Sequence, residues 1–471
     1  MDLDPDPSDV LLHFSALKSK QARCIVLQGI LEQLHSDECR QLKECLAART
    51  FQCDVLGSLP VEVVAQVSKR WRFLLSSPLV QSTVLHQHCG WVLRTTESAH
   101  DFIHYARRRL MLERGQPFSV VQYPLPRKDY GHPQPLMDYS RGKCAWVDLG
   151  DDGRCRGIAV RDLRSGRLQC FHTENRVPFC QVRISDNIVA AVSVRGYCHV
   201  WNHRTHETDS FRLPSMHFEF FMVCKLTVAF SFGDSVMKWD FASRSAHVID
   251  VESGTAYMTL DSSGDNLIAV YLFGRDGKDS THVHVRQAQL RVAKYPLDVS
   301  THHPPPVSLT DVRLPKLGPD LVFEKSRGVS SVFHDRIGAL GIRPVLRNLK
   351  YYLLINHDPL NDRISLHLLP TEYARTYPVA SIAYNLLYSV VRNPTKPGIE
   401  ISSPDAVSRY RSSNFMRIDH ESRDDDPPAC ALYGDREFVL LVDKNGLTAW
   451  CFDETTQPPG SCPVLPNLAQ E

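Results

Sequence analysis

The chain has 471 residues, 43% of them hydrophobic and 23% charged, which is material for two or three globular domains. Lys plus Arg number 54 against 53 Asp plus Glu, so the net charge of +1 gives no general attraction to nucleic acid or to an anionic membrane. No run approaches the roughly 20 apolar residues that span a bilayer, and the acidic, proline-broken start MDLDPDPSD is unlike a signal peptide.

The 14 cysteines are scattered, with no Cys-x-x-Cys pair. That usage suits a reducing compartment better than a disulfide scaffold. The triplet Asn393-Pro394-Thr395 is disqualified as a glycosylation acceptor by its proline. An intracellular protein of cytoplasm or nucleus is expected.

Residues 1–50 read as a helical region. Ser8 can cap a helix carrying Val10, Leu11, Phe14 and Leu17, and Ile25, Val26, Ile30, Leu31 and Leu34 continue at helical spacing. The segment 51–90 holds a sharper pattern. Leu59-Pro60-Val61-Glu62 opens an apolar run that Val67-Ser68-Lys69-Arg70-Trp71-Arg72 closes. Proline suits a first helical turn, Ser58 can cap it, and Glu62 faces the positive end of the helix dipole. Leu56, Leu59, Val63 and Val64 gather on one side, and Trp71, Leu74 and Leu75 repeat at helical spacing.

These residues resemble an F-box, the small helical element that ties a substrate receptor to a ubiquitin ligase. The resemblance implies that Leu56, Leu59, Pro60, Val63, Val64, Trp71 and Leu74 contact a Skp-type adaptor. It also has a gap. F-box proteins place a further helix and turn between the two halves, and here only Val63 to Gln66 lie there. The element is internally truncated.

A linker, 91–117, contains a helix from about Ser98 to Arg114 with Phe102, Ile103, Ala106 and Leu110 on its buried side. Arg107-Arg108-Arg109 falls on this helix and reads as a solvated face.

From Phe118 the texture changes to short alternating runs rich in Val, Ile, Phe and Tyr between Gly, Asp, Asn and Ser, which predicts strands. They recur. Gly157 to Asp162, Ser193 to Asn202, Gly233 to Asp240, Thr281 to Arg286, Arg363 to His367 and Gly446 to Cys451 read as copies of one strand. Asp162 to Asn202 is 40 residues, Asn202 to Asp240 is 38, and Asp240 to Arg286 is 46. A period of about 40–45 residues is that of a propeller blade. Trp201-Asn202 and Trp239-Asp240 resemble the Trp-Asp ending of WD-type repeats, without the Gly-His opening. An all-β propeller of six or seven degenerate blades is expected over 118–455, with a disordered tail at 456–471. Residues 326–340 would hold a faint fifth blade, and the proline-rich stretch 371–430 an insertion near the last one. Phe118 to Tyr123 would close the ring by joining the final blade. A pair of β-sandwiches competes poorly with so regular a spacing.

Chemistry is hard to find. No Gly-x-x-x-x-Gly-Lys-Ser/Thr, Gly-x-Gly-x-x-Gly, Gly-x-Ser-x-Gly or His-Glu-x-x-His pattern occurs. His86-Gln87-His88-Cys89 lacks the second ligand pair that a structural zinc needs. His282 and His284 share a strand face, and His302-His303-Pro304 reads as a loop. Arg195, Arg286, Arg327 and Arg411 fall near blade loops, where guanidinium groups can hold acidic or phosphorylated peptides. No catalytic residue, cofactor or metal site is expected.

The whole chain is similar to fungal-type F-box proteins with a C-terminal propeller. That resemblance implies a multidomain, non-catalytic substrate receptor of an SCF-type cullin–RING ubiquitin ligase. The F-box would dock the Skp adaptor and hence the cullin, and the propeller would bind an unknown target protein, with no nucleic acid or membrane involved. Two alternatives stand beside it: an adaptor-independent interaction scaffold, motivated by the shortened F-box, and a propeller hydrolase or lyase.

Overall fold

Alternation in the sequence becomes a succession of antiparallel sheets. The computed structural model describes residues 108–109, 111–124, 137–148, 157–175, 177–261, 263–273, 283–284, 289–298, 302–313, 321–324, 336–344, 351–358, 363–370, 380–383, 386–391, 398–402, 414–417, 431–443 and 446–463. The chain divides into two units, 1–110 and 111–471. The seven F-box-like residues Leu56, Leu59, Pro60, Val63, Val64, Trp71 and Leu74 lie outside the described residues, as do His86, His88 and Cys89.

In the first unit only Arg108 and Arg109 are described. Both are helical and buried, at 6% and 4% exposure. The expected solvated face is therefore corrected for these two arginines. The guanidinium groups are taken out of water, where a short basic run ordinarily stays.

The second unit opens with helical residues at 111–114. Gly115, at φ +62°, ends the helix, as glycine does in the left-handed position after a last turn. A Cβ there would press on Ile401 and Met416 at 3.3 Å.

Strand β1 (Ser119–Tyr123) follows, and then the sheets come in chain order. The first sheet is β2 (Met137–Ser140), β3 (Lys143–Asp148), β4 (Gly157–Asp162) and β5 (Leu168–His172). The second is β6 (Phe179–Ile184), β7 (Ile188–Ser193), β8 (Tyr197–Asn202) and β9 (Thr208–Arg212). The third is β10 (Phe220–Cys224), β11 (Thr227–Phe232), β12 (Ser235–Asp240) and β13 (Ser245–Asp250). The fourth begins with β14 (Thr255–Leu260) and β15 (Asn266–Phe273); β16 (Val283–His284) then leaves it, and β17 (Gln289–Pro296) and β18 (Ser308–Arg313) complete it.

The fifth sheet is β19 (Leu321–Glu324), β20 (Arg336–Pro344), β21 (Tyr351–Asp358) and β22 (Arg363–Pro370), with β16 added beside β19. The sixth is β23 (Ala380–Ala383), β24 (Leu386–Val391), β25 (Gly398–Ser402) and β26 (Asn414–Arg417). The seventh is β27 (Ala431–Gly434), β28 (Phe438–Asp443) and β29 (Gly446–Cys451), completed by β1 and by β30 (Cys462–Pro463).

Among the described residues, seven sequential antiparallel sheets, the last completed by the first strand, have the architecture of a WD-like β-propeller. The seam is as expected: Val120 faces Trp450 and Val121 faces Ala449. β30 then pairs with β1 on its other side, so the last sheet runs past residue 455 into the segment expected as tail.

Three expectations are corrected. The Thr281–Arg286 copy is not a third strand, because β16 pairs with β19 of the next sheet. The Arg363–His367 copy begins β22, a fourth strand. The stretch 371–430 is not an insertion but contains the whole sixth sheet.

The repeating residues explain themselves. Trp201 packs on Phe171 of the preceding sheet at 5.7 Å between centroids, and Trp239 stacks on Phe211 of its preceding sheet at 4.8 Å. Each tryptophan thus bridges neighbouring sheets. The polar residue after it caps a turn: Asn202 Oδ1 accepts the N–H groups of Arg204 and Thr205, and Asp240 Oδ1 accepts that of Ser243. Asp162 does the same for Arg164 and Ser165.

Apolar layers fill the gaps between sheets. Val147, Ile158 and Val160 of the first meet Phe179, Val182 and Trp201 of the second. β7 is buried along its whole length, while the outer strands β5 and β9 alternate between exposed and half-buried. The inner strands are stitched across the sheets. The hydroxyl of Tyr433 donates to Met137 O at 2.8 Å, Asp138 Oδ2 accepts from Ile184 N at 2.9 Å, and Arg183 Nε donates to Phe221 O at 3.2 Å.

Candidate functional site

A polar groove of about 340 Å³ opens between the first and second sheets, at the end where β2 turns into β3 and β4 into β5. Its construction follows from a pattern repeated through the propeller. The residue after each of five third strands donates its N–H to the turn between the first two strands of the same sheet: Leu163 to Gly142, His203 to Asn187, Phe241 to Leu226, Leu297 to Asp265 and Phe452 to Glu437. All five are buried. Four are leucine or phenylalanine. In the second sheet alone among these five the position holds an imidazole, His203, at 5% exposure.

The backbone demands nothing polar there, so the ring's partners are informative. His203 Nε2 lies 3.2 Å from the carbonyl of Ser185, which can only accept. Nε2 therefore carries the proton and Nδ1 offers a lone pair. Lys143 Nζ lies 3.2 Å from that Nδ1 and donates to it, and it reaches Asp186 O at 3.5 Å. Burial, followed by the Lys143 charge, holds the His203 pKa below the ordinary imidazole value. Burial likewise lowers that of Lys143.

Two of the three ammonium hydrogens of Lys143 are thus accounted for, and among the described residues no carboxylate is within ion-pair distance of it. Asp186 is already engaged, with Oδ2 at 2.5 Å from Arg141 Nη1. The rest of the lining adds two arginines. Arg167 and Arg204 come from the β4–β5 and β8–β9 turns, both exposed, and neither guanidinium has an acidic partner among the described residues. His206, Gln169 and Asp162 complete the polar lining, and Val160 is apolar. Gln169 Nε2 donates to His203 O at 3.4 Å, tying the two sheets together beside the groove.

Strained backbone, among the described residues, lies at this end of the first three sheets. The four non-glycine residues with positive φ among those described are Arg141 at +43°, His206 at +62°, Lys225 at +50° and Arg244 at +54°. All are basic and all sit in turns of the first three sheets. Side chains at such φ cost about 1–2 kcal/mol relative to glycine, and strained residues of this kind gather at functional sites.

The opposite end of the second sheet differs in character. Val194, Tyr197 and Met216 are exposed at 54%, 40% and 39%. Met216 packs over the β7–β8 turn, its sulfur 3.6 Å from where a Cβ on Gly196 would stand. Arg195, singled out from the sequence, lies in this turn and is exposed. Arg286, Arg327 and Arg411 lie outside the described residues, as does His282. His302 and His303 lie between β17 and β18, the His302 carbonyl accepting from Asp250 N at 2.7 Å. Among the described residues no cluster of His, Cys, Asp and Glu could hold a metal ion.

The groove was missed from the sequence, although one signal existed. Aligning the repeats on Trp201-Asn202 and Trp239-Asp240 sets His203 against Phe241.

No family model matches the chain, and no curated protein matches it. Solved structures do. A chain from a crystal structure of the mitotic checkpoint complex is 12% identical, covers 71% of this chain and 91% of its own, and has a TM-score of 0.41. Kluyveromyces lactis Hsv2 is 11% identical over 66% of this chain and 90% of its own, at 0.43. A chain from an S. cerevisiae complex of dbp5 with nup159 and gle1 is 11% identical over 71% and 93%, at 0.36. At such scores these likenesses carry no argument; the sheet topology itself defines the fold.

Proposed function

We propose that this chain is a non-catalytic recognition protein whose propeller holds a target protein. Its finer role would be that of substrate receptor in an SCF-type ubiquitin ligase inside the cell. The observation that supports recognition is the exposed cluster of Val194, Tyr197 and Met216 around Arg195. Apolar side chains grouped at a sheet end, with a guanidinium among them, have the composition of a protein-docking patch. The ligase role rests on the F-box-like residues Leu59-Pro60-Val61-Glu62 and Val67 to Arg72. The mechanism would be proximity: a target lysine held beside a charged conjugating enzyme reacts as if within one molecule.

The short spacing between the two halves of the F-box favours a second reading, a scaffold that binds its partners without the adaptor. Affinity purification of the tagged full-length chain separates the two. On the ligase reading, the wild type recovers a Skp adaptor, a cullin and a target. Leu59→Asp then loses adaptor and cullin and keeps the target, since a charge in a dry interface is costly. Met216→Asp loses the target and keeps the adaptor. A wild type that recovers targets and never an adaptor supports the scaffold. Targets retained by Met216→Asp and by Tyr197→Asp would refute the docking patch.

A further inference from the structure

We infer that the groove between the first and second sheets is a binding site for a phosphoryl group. The inference needs only the propeller and is independent of the ligase reading.

Three observations carry it. First, the groove gathers Lys143, Arg167 and Arg204 around one space, with Asp162 the single acidic residue of its lining. Cations so placed repel one another, and a dianion between them removes that repulsion. Second, the ammonium is aimed in advance. His203 Nδ1 and the Asp186 carbonyl hold two of its donors, leaving one for a ligand. This orientation uses a histidine at a site where four other sheets use leucine or phenylalanine, so packing alone does not account for it. Third, the two guanidinium groups stand on turns with no acidic partner among the described residues, and a guanidinium fork matches phosphate oxygens in pairs.

Asp162 adds selectivity. Its Oδ1 accepts the N–H groups of Arg164 and Ser165, and its Oδ2, which has no hydrogen-bond partner among the described residues, can accept one from an anion that carries a proton. Hydrogen phosphate has such a proton and sulfate at neutral pH has none. The groove therefore prefers phosphate to sulfate at equal ionic strength. At about 340 Å³ the space exceeds one phosphate ion, so the phosphoryl group can arrive free or on a larger carrier.

The test is isothermal titration of the purified full-length chain at fixed ionic strength with inorganic phosphate, with sulfate, and with a glycine pentapeptide whose central residue is phosphoserine. Phosphate is expected to bind with saturation and more tightly than sulfate. Lys143→Gln should weaken it about tenfold or more, the scale of one charge-assisted hydrogen bond. The double variant Arg167→Ala/Arg204→Ala, at two exposed positions that spare the fold, should weaken it at least as much. Binding of the phosphopeptide as tight as that of phosphate assigns the source to a phosphorylated partner segment. Binding of inorganic phosphate alone assigns it to a free anion. No saturable binding by either probe, or equal affinity in wild type and the double variant, would overturn the site.

Discussion

Lys143 and His203 share a hydrogen bond of 3.2 Å in which an ammonium donates to a neutral imidazole. The arrangement holds only while His203 is unprotonated, because a second proton on the ring would put two donors face to face.

That dependence fixes a sign for acid stability. The folded pKa of His203 is lowered, by burial and then by Lys143, with Arg204 acting the same way and the Ser185 carbonyl and Asp186 opposing. The unfolded chain therefore takes up the proton first. Stability is full above the ordinary histidine range, about 6.5, and declines as pH falls through it. Thermal melts of wild type and His203→Leu between pH 5.5 and 7.5 should diverge only at the acid end. Near pH 7.5 the two should agree within about 1 kcal/mol, one lost hydrogen bond being set against added apolar burial. Parallel curves would refute the assignment of this proton.

Tyr139 reaches across the seam between the seventh and first sheets. Its hydroxyl donates to Asp435 Oδ2 and accepts from Gly142 N at 2.9 Å, and burial followed by the Asp435 charge pushes its pKa well up. Asp435 is itself a turn cap, accepting from Glu437 N and Phe438 N. Tyr139→Phe strands buried partners on both sides. It should cost about 1–3 kcal/mol in urea denaturation, with an unchanged slope.

Two turn residues should respond to substitution in opposite senses. His206, at φ +62°, is strained, so His206→Gly should stabilise by a few tenths to about 1 kcal/mol. Gly166, at φ +69°, has no room, since a Cβ would stand 2.9 Å from Pro459 Cγ. Gly166→Ala should destabilise by about 1–2 kcal/mol. Chemical denaturation of both checks the pair. A destabilised His206→Gly would show that the imidazole holds the turn together.

Val121 is 3% exposed within the layer shared by the seventh and first sheets. Val121→Asp places an unpaired charge there and should cost several kcal/mol. Opening the seam should also let β1 pair between chains, so the variant should form oligomers on size-exclusion chromatography.

Much of the propeller was legible because some of its repeats keep both halves of their motif. Trp239 bridges to Phe211 and Asp240 caps a turn, and both needs leave a mark in the sequence. The middle of the ring was not legible for the same reason. The third strands of the fourth, fifth and sixth sheets end at Pro296, Asp358 and Ser402, and none has a tryptophan before that last residue. Thr281 to Arg286 imitates the motif by alternation, yet its strand serves the neighbouring sheet. Arg108 and Arg109 misled in another way, since nothing local distinguishes a buried guanidinium from a solvated one. The groove was hidden because Lys143, Arg167 and His203 are brought together only by the packing of two sheets.

Because β1 pairs with β29, Val120 waits for a partner that stands 330 residues later, Trp450. During translation that strand leaves the ribosome ahead of all the others and stays open along its edge until β29 has been made. Ring completion thus comes after the strands of the other six sheets have been made, and until then one short apolar ribbon must be shielded from neighbours.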